Sequence, residues 1–458
     1  MQVSSLMQSS LFSLRSRCYR CIILGLLWSI SSGLLHAQSG MTFEQLQPKL
    51  QQYFIDELIG DVKDQLPKGI GYTIWGWDVG DFSGDGVNDL ALSIRLAGDK
   101  SKTVNVYLFT DIEGYLTNVG KFSYNFFALP IEVGVSIKDN ACSVVEKQKD
   151  FEWTVTSYRL TAGSLIVLNK FKTERAKLLT HEAERNFQTL YGTEKYRETR
   201  SGDEVFTSEF LSLPAYVRGR KIVQGYATDA QSGSIRFVTQ GSFYWQGDKD
   251  CSFDVRCAYN EQYLFYLVRV KDDKVIGERV EGGTTEKIEV WLDVSNTGNR
   301  FVRSGGGGDK FRLTADSNIF SFVMTPGNFT DRKPSVVISS TDDLTDIQRQ
   351  ASQQVRVASS LTDSGYVIKV RIPFELLGFI GAPVDKAKIT EYGCTVLVRD
   401  VDNEYRPEEE TVIATSKFLN GNPSSYGSLL FVPDIMVYGE ALNIYLDQIA
   451  ERLRQLGM

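Results

Sequence analysis

Histidine is the scarcest informative residue, with two among 458. One of them, His36, falls in a leader that the N-terminal pattern marks for removal. A single remaining imidazole, His181, excludes a His-rich zinc centre, a multi-His haem protein and a multi-zinc hydrolase. A Ser-His-Asp triad would have to use His181, which stands in a charged stretch that reads as a helix surface. No Gly-x-Ser-x-Gly elbow precedes a helix pattern, which excludes an α/β-hydrolase nucleophile. Gly305–Gly308 is followed by Asp309-Lys310 and lacks the Gly-Lys-Ser/Thr of a phosphate cradle. After residue 37 no run approaches 18 apolar residues, so no membrane helix is expected there. No basic run is present either, and the net charge is −7, a poor footprint for nucleic acid. Proline is sparse, at 11 against 39 glycines, which points to tight turns rather than rigid linkers.

Apolar residues make up 42% and charged residues 23%, the balance of a folded globular chain. Aromatics are abundant, with 26 Phe and 21 Tyr. At the N-terminus Arg15, Arg17 and Arg20 precede the apolar run Cys21–Ile30, and Leu35-His36-Ala37 offers a small-residue exit. This is the pattern of a secretory signal peptide over 1–37. Its loss removes three arginines and no acid, which takes the formal charge from −7 to −10. Four cysteines remain: Cys142, Cys251, Cys257 and Cys394. In an exported chain they read as two disulfides or as buried free thiols.

Along the mature chain, 38–172 reads as a small β-rich domain, 173–204 as a connecting helical segment and 205–435 as a strand-rich domain. Residues 436–458 read as a terminal helical segment. Helices are expected at 42–64, from the spacing of Phe43, Leu46, Leu50, Tyr53, Phe54, Leu58 and Val62, at 174–198, and at 439–456. The overall class is mainly β, an antiparallel β-sandwich preceded by a small β-rich α+β domain.

Asp81-Phe-Ser83-Gly-Asp85-Gly86-Val87-Asn88-Asp89 places oxygen-bearing side chains at loop positions 1, 3, 5 and 9. Val87 offers its backbone carbonyl at position 7, so Asp81, Ser83, Asp85, Val87 and Asp89 can encircle a calcium ion. Leu90, Leu92 and Ile94 then alternate as in a strand. The loop resembles the calcium hairpin of FG-GAP/VCBS repeats, with Ser83 in place of an Asp. The competing reading is an Asp/Gly-rich turn without metal.

In the C-terminal half, Tyr366, Ile368, Val370 and Ile372 share one strand face, and Pro373 should end that strand. In Lys287–Asp293, Ile288, Val290 and Leu292 point one way; Glu289, Trp291 and Asp293 point the other. The ordered segments Trp245–Ser252, Ala258–Val268, Lys287–Asp293, Tyr366–Phe374, Leu397–Asp402 and Pro423–Leu429 resemble the family 9 carbohydrate-binding module and its DOMON-like relatives. The resemblance implies a sandwich of two antiparallel sheets, non-catalytic glycan binding by aromatic stacking, and structural calcium. Trp291 between two acids is the leading sugar-stacking candidate, with Glu289, Arg269, Arg399 and Trp245 beside it. The alternative is a structural Trp packed beneath a loop, with its acids paired to those arginines. Asp400, Asp402 and Asn403, with Glu409 and Glu410, read as a second calcium loop or as a solvated acidic turn.

These readings describe an exported, non-catalytic protein of a bacterial cell envelope, in the periplasm or at the surface. It would bind glycan with the help of structural calcium. The alternative is a structural or protein-interaction component of the envelope that has lost sugar binding. A third reading is a carbohydrate-active enzyme with an unrecognised site, since acids abound and a glycosidase needs only two carboxylates, but no segment resembles a glycosidase.

Overall fold

The structure, a computed structural model, describes residues 60–433 apart from short internal stretches, the longest at 125–131 and 304–310. The chain divides into two compact units. One runs to Glu146 and includes Ser157–Leu165; the other comprises Lys147–Thr156 and Ile166–Glu440. Among the described residues no helix is long and apolar enough to cross a membrane.

The first unit opens with a four-stranded antiparallel sheet of β1 (Tyr72–Gly80), β2 (Asp89–Leu96), β3 (Val104–Ile112) and β4 (Tyr115–Tyr124), in sequence order. Leu90, Leu92 and Ile94 on β2, with Tyr107 and Phe109 on β3, bury one face against Val62 and Leu66. The period-two pattern after Asp89 thus forms the strand it predicts. Next come β5 (Glu132–Lys138) and β6 (Ala141–Lys149), joined by Asp139-Asn140 at φ 53° and 56°. Asp and Asn tolerate this left-handed backbone, and consecutive positive φ angles match the strand twist of a two-residue hairpin. The expected helix 42–64 lies mostly outside the described residues; 60–62 are helical and Lys63–Gln65 is a 3-10 turn. The expected helix 439–456 lies wholly outside them.

After β7 (Glu152–Thr161), the strands β8 (Ser164–Arg175), β9 (Leu179–Asn186), β10 (Tyr191–Glu198) and β11 (Glu204–Leu211) follow. The antiparallel meander β8–β9–β10–β11 replaces the helix expected over 174–198. The charged residues there are cross-strand neighbours, with Lys195 opposite Glu182, and Arg185 is buried rather than solvated. Helix propensity of Glu, Lys and Arg is a weak prior, and tertiary pairing overrides it here.

The second unit is dominated by a sandwich. Its strands are β12 (Leu213–Val217), β13 (Ala230–Ser232), β14 (Val238–Gln240), β15 (Cys251–Tyr259), β16 (Tyr263–Asp272) and β17 (Lys287–Asp293). There follow β18 (Phe301–Arg303), β19 (Phe311–Leu313), β20 (Ile319–Thr325), β21 (Ser335–Ser340), β22 (Arg356–Thr362), β23 (Gly365–Pro373), β24 (Thr390–Asp400), β25 (Thr411–Ala414) and β26 (Gly427–Phe431). The main order is β21-β20-β17-β24-β26-β12-β15-β16-β23-β22. Every pairing along it is antiparallel except at β12, which runs parallel to both β15 and β26.

One apolar core joins Ile288, Val290 and Leu292 to Val268, Val270, Tyr366 and Ile368. The alternation read in 366–372 therefore buries the predicted face, and β23 ends at Pro373. A short helix, Asp346–Ser352, starts with a capping box between Thr345 and Gln348. Among the described residues, Cys142, Cys251, Cys257 and Cys394 are buried free thiols, which favours the thiol reading of these four over disulfides.

Candidate functional site

Antiparallel register brings four strand ends together. Cys251 at the start of β15 lies opposite Asp272 at the end of β16. Lys287 at the start of β17 lies opposite Arg399, next to the end of β24. The acids at these ends converge. Oxygens of Asp250, Asp400 and Asp402 lie within 4.8 Å of one another, and so do oxygens of Asp272, Glu286 and Asp400. Asp272, Glu286 and Asp400 are buried, with Glu286 fully so. Oδ2 of Asp272, Oε2 of Glu286 and Oδ1 of Asp400 are buried without a hydrogen-bond partner.

Burial, and then the charges of its neighbours, push Asp400 up to about 8. Burial, only partly offset by the Lys274 amide, lifts Asp272 to about 6. Glu286 is driven well above its ordinary value by burial and by Asp400 and Asp272. The Lys274 ammonium contacts the Asp402 backbone carbonyl at the rim. Unpartnered buried carboxylates cost several kcal/mol unless a positive charge joins them. An all-oxygen set of this kind fits a hard divalent cation such as calcium.

The sequence reading caught Asp400 and Asp402 but missed Asp250, Asp272 and Glu286. The available signal was an acid at the end of each of four predicted strands. Glu409 and Glu410 lie outside the cluster: Glu409 pairs with Arg406 at 2.6 Å and Glu410 with Arg399 at 2.7 Å. Asn403 instead caps its own turn by accepting from the Tyr405 amide.

Trp291, Glu289 and Arg399 do come together. The Trp291 indole N–H donates to Glu289 at 2.8 Å, and the Arg399 guanidinium bridges Glu289 and Glu410. The half-buried Trp291 ring packs on Phe418 and Tyr426, with centroids at 5.4 and 6.4 Å. Leu397, Val412 and Ala414 complete this satellite cluster. Asp293 is buried and caps Ser295. The acids flanking Trp291 are therefore engaged within the protein.

Arg269 is elsewhere. It is exposed on β16, paired with Asp254 at 3.2 Å. Trp245 packs against the main core and donates its indole N–H to the Cys251 carbonyl at 2.8 Å.

In the 81–89 hairpin, Asp81 accepts from the amides of Gly84, Asp85 and Gly86. Asp89 is fully buried and accepts from the amides of Phe82, Ser83 and Asp111 and from the Thr110 hydroxyl. Val87 is exposed. The loop is closed by its own amides, and Asp81, Asp85 and Asp89 are not among the gathered acid groups of the described residues.

Comparison with known proteins bears on the second unit. Residues 229–433 match the family described as "Carbohydrate family 9 binding domain-like", and this C-terminal domain is CBM9-like. Two solved structures found by similarity are family 9 carbohydrate-binding modules from Caldicellulosiruptor kristjanssonii. One is in complex with glucose (13% identity, 48% of this chain, 96% of that chain, TM-score 0.29). The other is in complex with cellotriose (13% identity, 48% and 94%, TM-score 0.28). No curated protein matches the sequence. The family match supports a carbohydrate-binding role for the C-terminal domain.

Proposed function

We propose that the protein is an exported, non-catalytic glycan-binding component of a bacterial cell envelope, with calcium holding the loops at one end of its sandwich. The observation that carries the glycan reading is the family match over 229–433. Export rests on the pattern of residues 1–37. The calcium reading rests on the orphaned buried oxygens of Asp272, Glu286 and Asp400. Asp250, Asp272, Glu286, Asp400 and Asp402 would hold the ion. Bound calcium supplies positive charge that lets these acids stay ionised while buried. Asp81, Ser83, Asp85, Asp89 and the Val87 carbonyl form a second candidate set, separable from the first by an Asp81→Asn variant. The sugar-contacting candidates are Trp291 with Glu289 and Arg399, and Trp245 and Arg269 at their separate positions.

Isothermal titration against neutral oligosaccharides, in calcium and then in chelator, tests the reading. Binding heat that vanishes in Trp291→Ala supports it; no heat with any sugar overturns it. A second reading is an envelope protein that keeps the sandwich and binds another protein. It is favoured by the engagement of Trp291, whose N–H is taken by Glu289 and whose ring is packed on Phe418 and Tyr426.

A further inference from the structure

The outer face of the sheet β15–β16–β23–β22 is basic in a chain of net charge −7. Register puts its side chains in rows. Leu267 stands between Arg256 on β15 and Lys369 on β23. Arg269 stands between Asp254 and Val367, and Phe265 beside Arg371, which in turn faces Arg356. Lys271 follows on the same face, and Arg256, Arg269, Lys271, Arg356 and Lys369 are exposed.

Two acids sit among these cations. Asp229 binds Arg256 through a fork of 2.6 and 2.7 Å, and Asp254 binds Arg269. Lys271, Lys369, Arg356 and Arg371 have no acid in ion-pair contact among the described residues. Arg371 lies over the Tyr263 ring at 4.6 Å, and Arg218 over Phe265 at 4.3 Å. Arg371 Nε is buried and without a hydrogen-bond partner. Small side chains, Ala258, Ala358 and Ser360, separate the cations and leave the face open.

We propose that this face binds an acidic polysaccharide whose repeating charge is a carboxylate, a polyuronate. The glycan class rests on the carbohydrate-binding reading above; the charge comes from the face itself. The strand β16 is ten residues long, about 30 Å at roughly 3.3 Å per residue, so a polymer laid along it meets several cations at once. The guanidinium fork matches a planar carboxylate, and the Arg256–Asp229 pair is that contact already made on this face. The unpaired lysines supply attraction that salt screens.

The test measures binding of the whole mature protein to polygalacturonate, chondroitin sulfate, a neutral oligosaccharide panel and duplex DNA. Polygalacturonate binding is expected to weaken at least about tenfold in Lys271→Glu/Lys369→Glu, and as strongly between 0.05 and 0.5 M salt. Neutral-sugar binding should be unchanged by the same pair. Lys271→Gln/Lys369→Gln serves if the charge reversal lowers the melting temperature. Absence of polygalacturonate binding at low salt overturns the proposal, as does binding indifferent to both variants. DNA or sulfated glycan bound as tightly as the uronate also overturns it, because the face is then a general polyanion sink. Neutral binding without uronate binding sinks this inference alone. Uronate binding lost in the variant, without any neutral binding, sinks only the neutral-sugar reading, and no binding of either kind sinks both.

Discussion

The second unit buries two charged clusters, and they handle their charge differently. Arg185, 3% exposed, sits with Glu194 and Glu391, and all five of its N–H groups find acceptors. Ser428 donates to Glu391 at 2.5 Å, and the guanidinium lies 4.5 Å from the Phe210 ring centroid. At the other cluster, Asp272, Glu286 and Asp400 face one another with orphaned oxygens, and no Arg or Lys side chain pairs with them among the described residues. Burial opposes charge in both places. In the first, Arg185 and His181 outweigh it and hold Glu194 at about 2. In the second, burial and mutual repulsion act together and lift Asp400 to about 8. Burial alone does not set ionisation; what the chain places beside the acid does.

The largest way to break this contrast is to empty the balanced cluster of its cation. Arg185→Met leaves two half-buried acids, Glu194 and Glu391, without the guanidinium between them and is expected to cost about 3 kcal/mol in urea unfolding. A loss below about 1 kcal/mol would mean that the guanidinium contributes little more than packing. The next effect is calcium at the unbalanced cluster. At 100 times its dissociation constant, a bound ion raises stability by about 2.7 kcal/mol, read as a melting temperature that rises with calcium and falls with chelator. Glu286→Gln sharpens this point by reversing sign: more stable than wild type in chelator, less stable in calcium. A wild type indifferent to chelator would end the contrast.

Acid supplies a third probe. The Glu194 pKa is depressed, so its stabilisation is complete above the ordinary value near 4.5 and drains away as pH falls towards 2. Urea midpoints at pH 5 and pH 3 should converge between wild type and Glu194→Gln on the acid side. A constant gap would contradict the assignment. The smallest effect is Trp291→Phe, which removes one hydrogen bond to Glu289 while Arg399 still holds that carboxylate. About 1 kcal/mol of destabilisation is expected by urea unfolding.

Much of the sandwich was legible because alternation is local. Ile288, Val290 and Leu292, and Tyr366 through Ile372, carry their burial in their own spacing. The meander over 179–198 was not legible, because its charges look like a solvated helix until Arg185 is seen buried against Glu391, 206 positions away. The acidic cluster was legible by halves for the same reason. Asp400 and Asp402 are sequence neighbours, whereas Asp250, Asp272 and Glu286 reach them only through strand register. The packing of Trp291 was one of two readings open from the sequence; of its partners, Tyr426 lies in the Pro423–Leu429 segment that carries the family resemblance, whereas Phe418 stands outside every segment that showed a pattern.

The short strand β12 has a consequence for the order in which the domain can assemble. It lies between β15 and β26, parallel to both, with Leu213 opposite Leu429. The strand that opens the sandwich in sequence therefore completes it only after the last strand has been made. Parallel pairing over such a span is slow, because the loop between its ends must close before the contact forms. Until residues 427–431 are available, β12 has one neighbour instead of two, and the backbone groups facing the missing strand remain open. A nascent chain stopped just short of Gly427 would hold nearly all of its core residues and still lack the strand that joins β24 to β12.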